Sequence, residues 1–153
     1  MSFYFLPEDF KKLNAQIQEI SDRIKAIGQE MGLSCQEGAE TYHDNFAYED
    51  GERQQRMWSW RLKELVDIIR LAKMVEPGKS TETVAIGSHV TFLDLETNEE
   101  KIIRIGSYFT FSKNETVSYC APLARIMLGA KEGDICEGLI SGKKKKLEIV
   151  SVD

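Results

Sequence analysis

Apolar side chains recur at Phe10, Leu13, Ile17, Ile20, Ile24, Ile27 and Met31. Their steps alternate between three and four residues, which keeps one stripe of a helix turned toward a partner. The spacing predicts a helix over residues 8–33. Pro7 suits its first turn, Glu8 and Asp9 suit its positive end, and Gly32 is a candidate stop. A second stripe runs Trp58, Leu62, Leu65, Ile69 and Ala72, with Phe46 and Tyr48 extending it less regularly upstream. Glu76-Pro77-Gly78-Lys79-Ser80 ends this helix and reads as a linker. Two stripes of similar length joined by a polar segment predict an antiparallel coiled-coil hairpin. A helix over 8–33 at ~1.5 Å per residue would be about 40 Å long. With a single seam to bury, such a hairpin is expected to protrude, its connecting segment forming the tip.

The period changes after Ser80. His89–Leu95 alternates as a strand, Glu96–Glu99 is a polar turn, and Lys101–Ile105 is the returning strand. Tyr108–Phe111 is a candidate short strand. Pro122–Leu128 reads as a short helix, with Pro122 at its start and Gly129 at its end. Ile135–Ile140 and Lys145–Val152 form a last hairpin across Ser141-Gly142. The whole is an α+β fold: a coiled-coil hairpin over 1–78, then a small α+β domain over 79–153.

Charge sharpens the picture at the tip. Among the 153 residues the net charge is −5, which argues against a broad basic surface for nucleic acid. Between Lys25 and Arg53 there is no Lys or Arg, yet Glu30, Glu37, Glu40, Asp44, Glu49, Asp50 and Glu52 all fall there. A solvated acidic loop is the plain interpretation. No stretch reaches the ~20 apolar residues of a membrane span, and the first residues lack the basic start of a signal peptide. The three cysteines, Cys35, Cys120 and Cys136, form no CxxC pair, read as small buried hydrophobes, and fit a reducing cytoplasm.

Conventional catalytic chemistry is sparse. His89, on a strand, reads as structural, and His43 has no second His at ligand spacing. No phosphate-binding glycine loop or nucleophile elbow is present. Lys143–Lys146 reads as a solvated sheet edge. The tip carboxylates remain. Their hard oxygens suit Mg²⁺, which one or two acids alone hold weakly. On the end of a rod they could complete another protein's two-metal phosphoryl-transfer centre.

The run Ser118-Tyr119-Cys120-Ala121-Pro122-Leu123-Ala124-Arg125-Ile126-Met127-Leu128-Gly129-Ala130-Lys131-Glu132-Gly133-Asp134 resembles the signature of the bacterial Gre-type transcript cleavage factors. Gly87–Phe92 resembles the start of that family's first strand, and Arg61–Leu65 its return helix. The resemblance implies that the C-terminal domain is FKBP-like, without prolyl isomerase activity. It further implies a partner, bacterial RNA polymerase, with the domain docking at the rim of the secondary channel and the coiled coil reaching the catalytic centre. There, tip carboxylates would help hold Mg²⁺ jointly with the polymerase, which cleaves backtracked RNA at the nascent 3′ end. The chain itself would be a monomer and no enzyme.

Aligned without gaps, Glu40-Thr41-Tyr42-His43-Asp44-Asn45-Phe46-Ala47-Tyr48 places Asp44 on the family's tip glutamate, Asn45 on its asparagine and Tyr48 on its tyrosine. Thr41 stands at the family's aspartate and His43 at its serine. The resemblance therefore implies Asp44 as the principal Mg²⁺-directed carboxylate and Glu40 as its helper, with Thr41, His43, Asn45 and Tyr48 completing the channel tip. Two alternatives stay open. One is a channel-binding regulator or anti-cleavage factor without productive Mg²⁺ chemistry. The other is a coiled-coil interaction protein unrelated to polymerase.

Overall fold

The computed structural model describes residues 1–37, 46–77, 82–111 and 115–153. In chain order the elements are β1 (Phe3–Phe5), α1 (Pro7–Glu37), α2 (Phe46–Arg70), β2 (Ala72–Met74), β3 (His89–Asp94), β4 (Glu99–Gly106), β5 (Thr116–Ser118), α3 (Pro122–Met127), β6 (Ile135–Ile140) and β7 (Lys143–Val152). This is an α+β chain in two compact units. Lys11–Leu71 forms the helical unit, while Met1–Phe10 and Ala72–Asp153 form the sheet unit. The division differs from a break at 78 because β1 and β2 pair in parallel, Phe3 beside Ala72 through Phe5 beside Met74. Both chain segments leading to and from the helices thus belong with the sheet.

In the helical unit the first stripe is realised: Leu13, Ile20 and Ile27 are buried, and Ile17, Ile24 and Met31 half-buried. α1 spans 31 residues, about 46 Å. It continues through Gly32, the expected stop. The ~1 kcal/mol cost of a helical glycine is small beside a seam that goes on to Met31. α2 supplies Trp58, Leu62 and Ile69, half-buried, and Leu65, fully buried. Ala72 is not part of this seam. The helix closes where the Leu71 amide donates to the Ile68 carbonyl (3.1 Å), and Val75 then donates to Phe5 (2.8 Å), so pairing with β1 overrides the helical period.

In the sheet unit five strands run in the order β5-β4-β3-β7-β6. Val90 and Phe92 from β3, Ile103 and Ile105 from β4, and Leu147, Ile149 and Val152 from β7 form one core with Ala124 and Met127 of α3. The β6–β7 hairpin turns at Ser141-Gly142 as expected. Both residues have positive φ (52° and 78°), the geometry whose twist matches the flanking strands. The lysine run lies on the part of β7 that pairs with β6, Lys143–Lys146 beside Ile140–Glu137; the β3 register starts at Leu147, with one further bond from the Leu95 amide to the Lys146 carbonyl. Tyr108–Phe111 is not a strand. Tyr108 stacks at 4.4 Å from Phe3, and Phe109 at 6.4 Å from Phe5, so these aromatics anchor the N-terminal strand instead. The strand that pairs with β4 on the side away from β3 is β5. Cys120 and Cys136 are half-buried rather than buried, and the Cys35 side chain lies outside the described residues.

Candidate functional site

The tip joins α1 to α2. Glu40, Thr41, His43, Asp44 and Asn45 lie outside the described residues, and Tyr48, in the first turn of α2, is half-buried. What the structure does describe is the pair of helices that bear them. Gln55 Nε2 of α2 donates to the Ile24 carbonyl of α1 (3.4 Å), and the Arg23 guanidinium lies 4.7 Å from the Trp58 ring centre. Nearer the tip α2 meets α1 at Gly51. A Cβ on Gly51 would sit 2.5 Å from Met31 Cγ and 3.7 Å from Ile27 Cγ2. The partners of successive α2 residues thus recede along α1, which defines an antiparallel pair. Gly51 allows the two helices to come together one turn from the tip.

The acids after the tip divide by partner. Asp50 is engaged by Arg53 and by Gln54 Nε2 (2.8 Å), so its charge is compensated on its own helix. Glu49 and Glu52 are exposed. Glu49 stands in the first turn of α2, where the helix dipole favours negative charge. Among the described residues no group of three His, Cys, Asp or Glu side chains could hold a metal ion.

At the root of α1 the structure shows side chains whose partners the sequence did not reveal. The Leu6 amide donates to Ser107 Oγ (2.8 Å), and Ser107 Oγ donates to Asp9 Oδ2 (2.6 Å); Ser107 and Asp9 are both buried. Arg104 Nη1 reaches Glu8 Oε1 (2.8 Å). The sequence signal was present in Glu8 and Asp9, which read as helix-start charges. Only the fold brings β4 and the residue after it to them.

The signature run Ser118–Asp134 does structural work and also lines a surface. Pro122 opens α3, and Ala124 and Met127 are fully buried. The Asp134 carboxylate accepts from the Lys131 amide (2.9 Å), closing the turn before β6. Tyr119 and Leu128, with Tyr4, Val75 and Ile86, line an open apolar groove of about 600 Å³. The Tyr119 hydroxyl accepts from the Tyr4 amide (3.1 Å), and burial raises its pKa. His89 is exposed on β3, where its backbone pairs with Asp153. Burial likewise pushes the Cys136 thiol up, which makes it a poor nucleophile. No helix among the described residues is long and apolar enough to cross a membrane.

Residues 79–153 match the family model described as transcription elongation factor GreA/GreB, C-terminal. Transcription elongation factor GreA of Ruegeria pomeroyi is 28% identical over 149 residues, 96% of this chain and 94% of the relative. The GreA of Cereibacter sphaeroides is 34% identical over 110 residues, 71% of this chain and 70% of the relative. Among solved structures, GreA factor homolog 1 of Thermus thermophilus aligns over 100% of this chain and 99% of its own, with 19% identity and a TM-score of 0.46.

Proposed function

The chain belongs to the GreA/GreB family of transcription elongation factors, and on that premise we propose that it binds bacterial RNA polymerase through the secondary channel and stimulates cleavage of backtracked nascent RNA. The observation that carries this reading is the acidic stretch between Lys25 and Arg53, at the join of two helices that pack antiparallel. The sheet unit docks, and its apolar groove beside Tyr119 and Leu128 offers a surface for a partner's nonpolar side chains. Asp44, helped by Glu40, would hold a Mg²⁺ jointly with the polymerase, with Thr41, His43, Asn45 and Tyr48 as the other residues of the channel tip. The bound ion supplies charge neutralisation at the scissile phosphate. The chain is not itself the nuclease.

A carboxylate that only helps hold a shared ion contributes to the transition state and not to docking. Asp44→Ala is therefore expected to slow RNA cleavage in backtracked complexes by about 10²-fold, or ~2.7 kcal/mol. Affinity for core polymerase is expected to stay unchanged, and raised Mg²⁺ to restore part of the rate by mass action. Equal cleavage by wild type and Asp44→Ala would reject this assignment.

A second reading rests on Thr41 and His43, which replace the aspartate and serine of the family pattern. In it the chain occupies the channel and regulates polymerase without promoting cleavage. Wild type would then bind but not stimulate, and Thr41→Asp combined with Asp44→Glu would confer cleavage.

A further inference from the structure

α2 carries two tryptophans that differ in cover. Trp58 is half-buried in the seam, with the Arg23 guanidinium 4.7 Å from its ring centre. Trp60 is 68% exposed, and among the described residues its one ring contact is Lys63 Nζ at 5.9 Å, near the ~6 Å limit of such an attraction. Trp60 lies in an open groove of about 670 Å³, lined also by Glu52, Gln55, Arg56, Ser59 and Lys63. That volume falls in the ~300–1,000 Å³ range of small-molecule sites. Gly28 of α1 lies against Gln55, where a Cβ would come within 3.1 Å of Nε2, so α1 adds no side chain at that point.

The cations of this stretch of α2 divide by partner. Arg53 is engaged by Asp50, and Arg61 by Glu64 at 3.2 Å, each about one turn away. Arg56 and Lys63 have no acidic partner among the described residues. Both are exposed, and with Trp60 they fall at steps of four and three, on one stripe of the helix. About 10 Å of helix axis separates the two cations at ~1.5 Å per residue.

We propose that this groove binds a single purine nucleotide, with its base on the Trp60 indole and its phosphates between Arg56 and Lys63. A purine matches the indole in its flat aromatic face, and stacking uses that face directly. Phosphate oxygens match the two uncompensated cations, Arg56 through its planar fork and Lys63 as a point charge. Gln55 is held by its Nε2 bond to the Ile24 carbonyl, which leaves its amide oxygen to accept from a base amino or ribose hydroxyl group. Charge also sets the footprint. Glu52 precedes Arg56 by four residues and Asp67 follows Lys63 by four, so acids bound the cation pair at both ends. A nucleic-acid strand needs a basic track and a series of aromatic platforms, whereas Trp60 stands alone between Glu52 and Asp67. The ligand this selects is a free nucleotide, such as a nucleoside triphosphate. The site draws on no tip residue and does not rest on the cleavage reading.

Titration of the full chain with ATP, read from the backbone-amide NMR signals of residues 56–63, tests this. Saturable shifts with a Kd below about 1 mM are expected. Adenosine, which lacks the phosphates, and inorganic triphosphate, which lacks the base, are each expected to bind at least about tenfold more weakly, ~1.4 kcal/mol. Trp60→Ala, and Arg56→Gln combined with Lys63→Gln, are expected to weaken ATP binding by the same factor with the thermal midpoint unchanged. No saturable shift up to about 1 mM ATP, or shifts confined to other elements, overturns the proposal. Equal affinity for inorganic triphosphate also overturns it and leaves only an attraction of surface charge. Single-stranded oligoadenylate that binds more tightly per nucleotide than ATP overturns the one-nucleotide footprint and makes the groove part of a strand-binding surface.

Discussion

The sheet unit and the helical unit solve the burial problem in different ways. In the sheet unit three strands and α3 converge on one core, where Val90, Ile105, Ala124 and Met127 are wholly removed from solvent. Among the described residues of the helical unit the buried apolar side chains are Leu13, Ile20, Ile27 and Leu65, strung along one seam. A core of that first kind fixes many residues at once, including the turns that connect its strands. A seam fixes only every third or fourth residue and leaves the remaining positions to other demands. The matched family model, a C-terminal one, covers residues 79–153, which hold this convergent core. A heptad stripe can be written with many apolar residues, but the α3 signature has to meet the sheet.

The largest expected effect probes that contrast directly. Ile105→Ala empties space in the convergent core and is expected to cost about 4 kcal/mol, whereas Ile20→Ala, on the seam, should cost about 2–3 kcal/mol. Urea unfolding of the full chain, followed by Trp58 and Trp60 fluorescence for the helical unit and by backbone-amide NMR signals of β3, β4 and β7 for the sheet unit, separates the two. If Ile20→Ala costs as much as Ile105→Ala, the seam is not the weaker construction.

Next in size is the buried polar link at the root of α1. Ser107→Ala removes the acceptor for the Leu6 amide and the donor to Asp9, leaving a buried N–H and a buried carboxylate without their partner. An unsatisfied group of this kind costs about 1–3 kcal/mol, and a carboxylate belongs at the upper end. A fall of less than about 0.5 kcal/mol, the scatter of an ordinary surface substitution, would show that the link is not a structural tie.

Most of both architectures was legible in the sequence, and the failures share a cause. The seam, the two hairpins and α3 are local patterns, readable from spacing and from turn residues such as Ser141-Gly142. The parallel β1–β2 pair joins residues separated by the entire helical hairpin, and no local pattern encodes such a partner. Ala72 fits a helical stripe and lies in β2 because Phe3 is available beside it. Tyr108 and Phe109 have strand-like composition but are held by ring packing against Phe3 and Phe5. At the candidate site, Glu40, Thr41, His43, Asp44 and Asn45 lie outside the described residues, so their assignment still rests on charge and motif. Tyr48 falls on α2 as its spacing suggested.

A smaller effect is expected at Gly51, where α2 has no room for a side chain against Met31. Gly51→Ala gains up to ~1 kcal/mol of helix propensity but drives a methyl into Met31 Cγ. Overpacking of this kind costs about 1–3 kcal/mol, so the net change should be a destabilisation of about 1 kcal/mol. The double variant Gly51→Ala with Met31→Ala should lose less than the sum of the single changes, a coupling read from a double-mutant cycle. Additive effects would mean that Gly51 does not set the spacing of the helices.

The smallest effect lies in the sheet unit and concerns pH. Asp94 ends β3 on the core side, where its carboxylate accepts from the Glu96 amide (3.0 Å) and lies 3.5 Å from Lys145 Nζ. The Glu96 amide bond, with Lys145 adding to it against an opposing burial cost, holds its pKa below the ordinary carboxylate value. A group that is more acidic folded than unfolded stabilises the fold above its unfolded pKa, about 3.9, and loses that contribution as pH falls through the lower folded value. Asp94→Asn should therefore lower the thermal midpoint slightly at pH 7 and leave the chain less sensitive to acid below about pH 4. Matching acid limbs for Asp94→Asn and wild type would remove Asp94 as a source of the sheet unit's acid sensitivity.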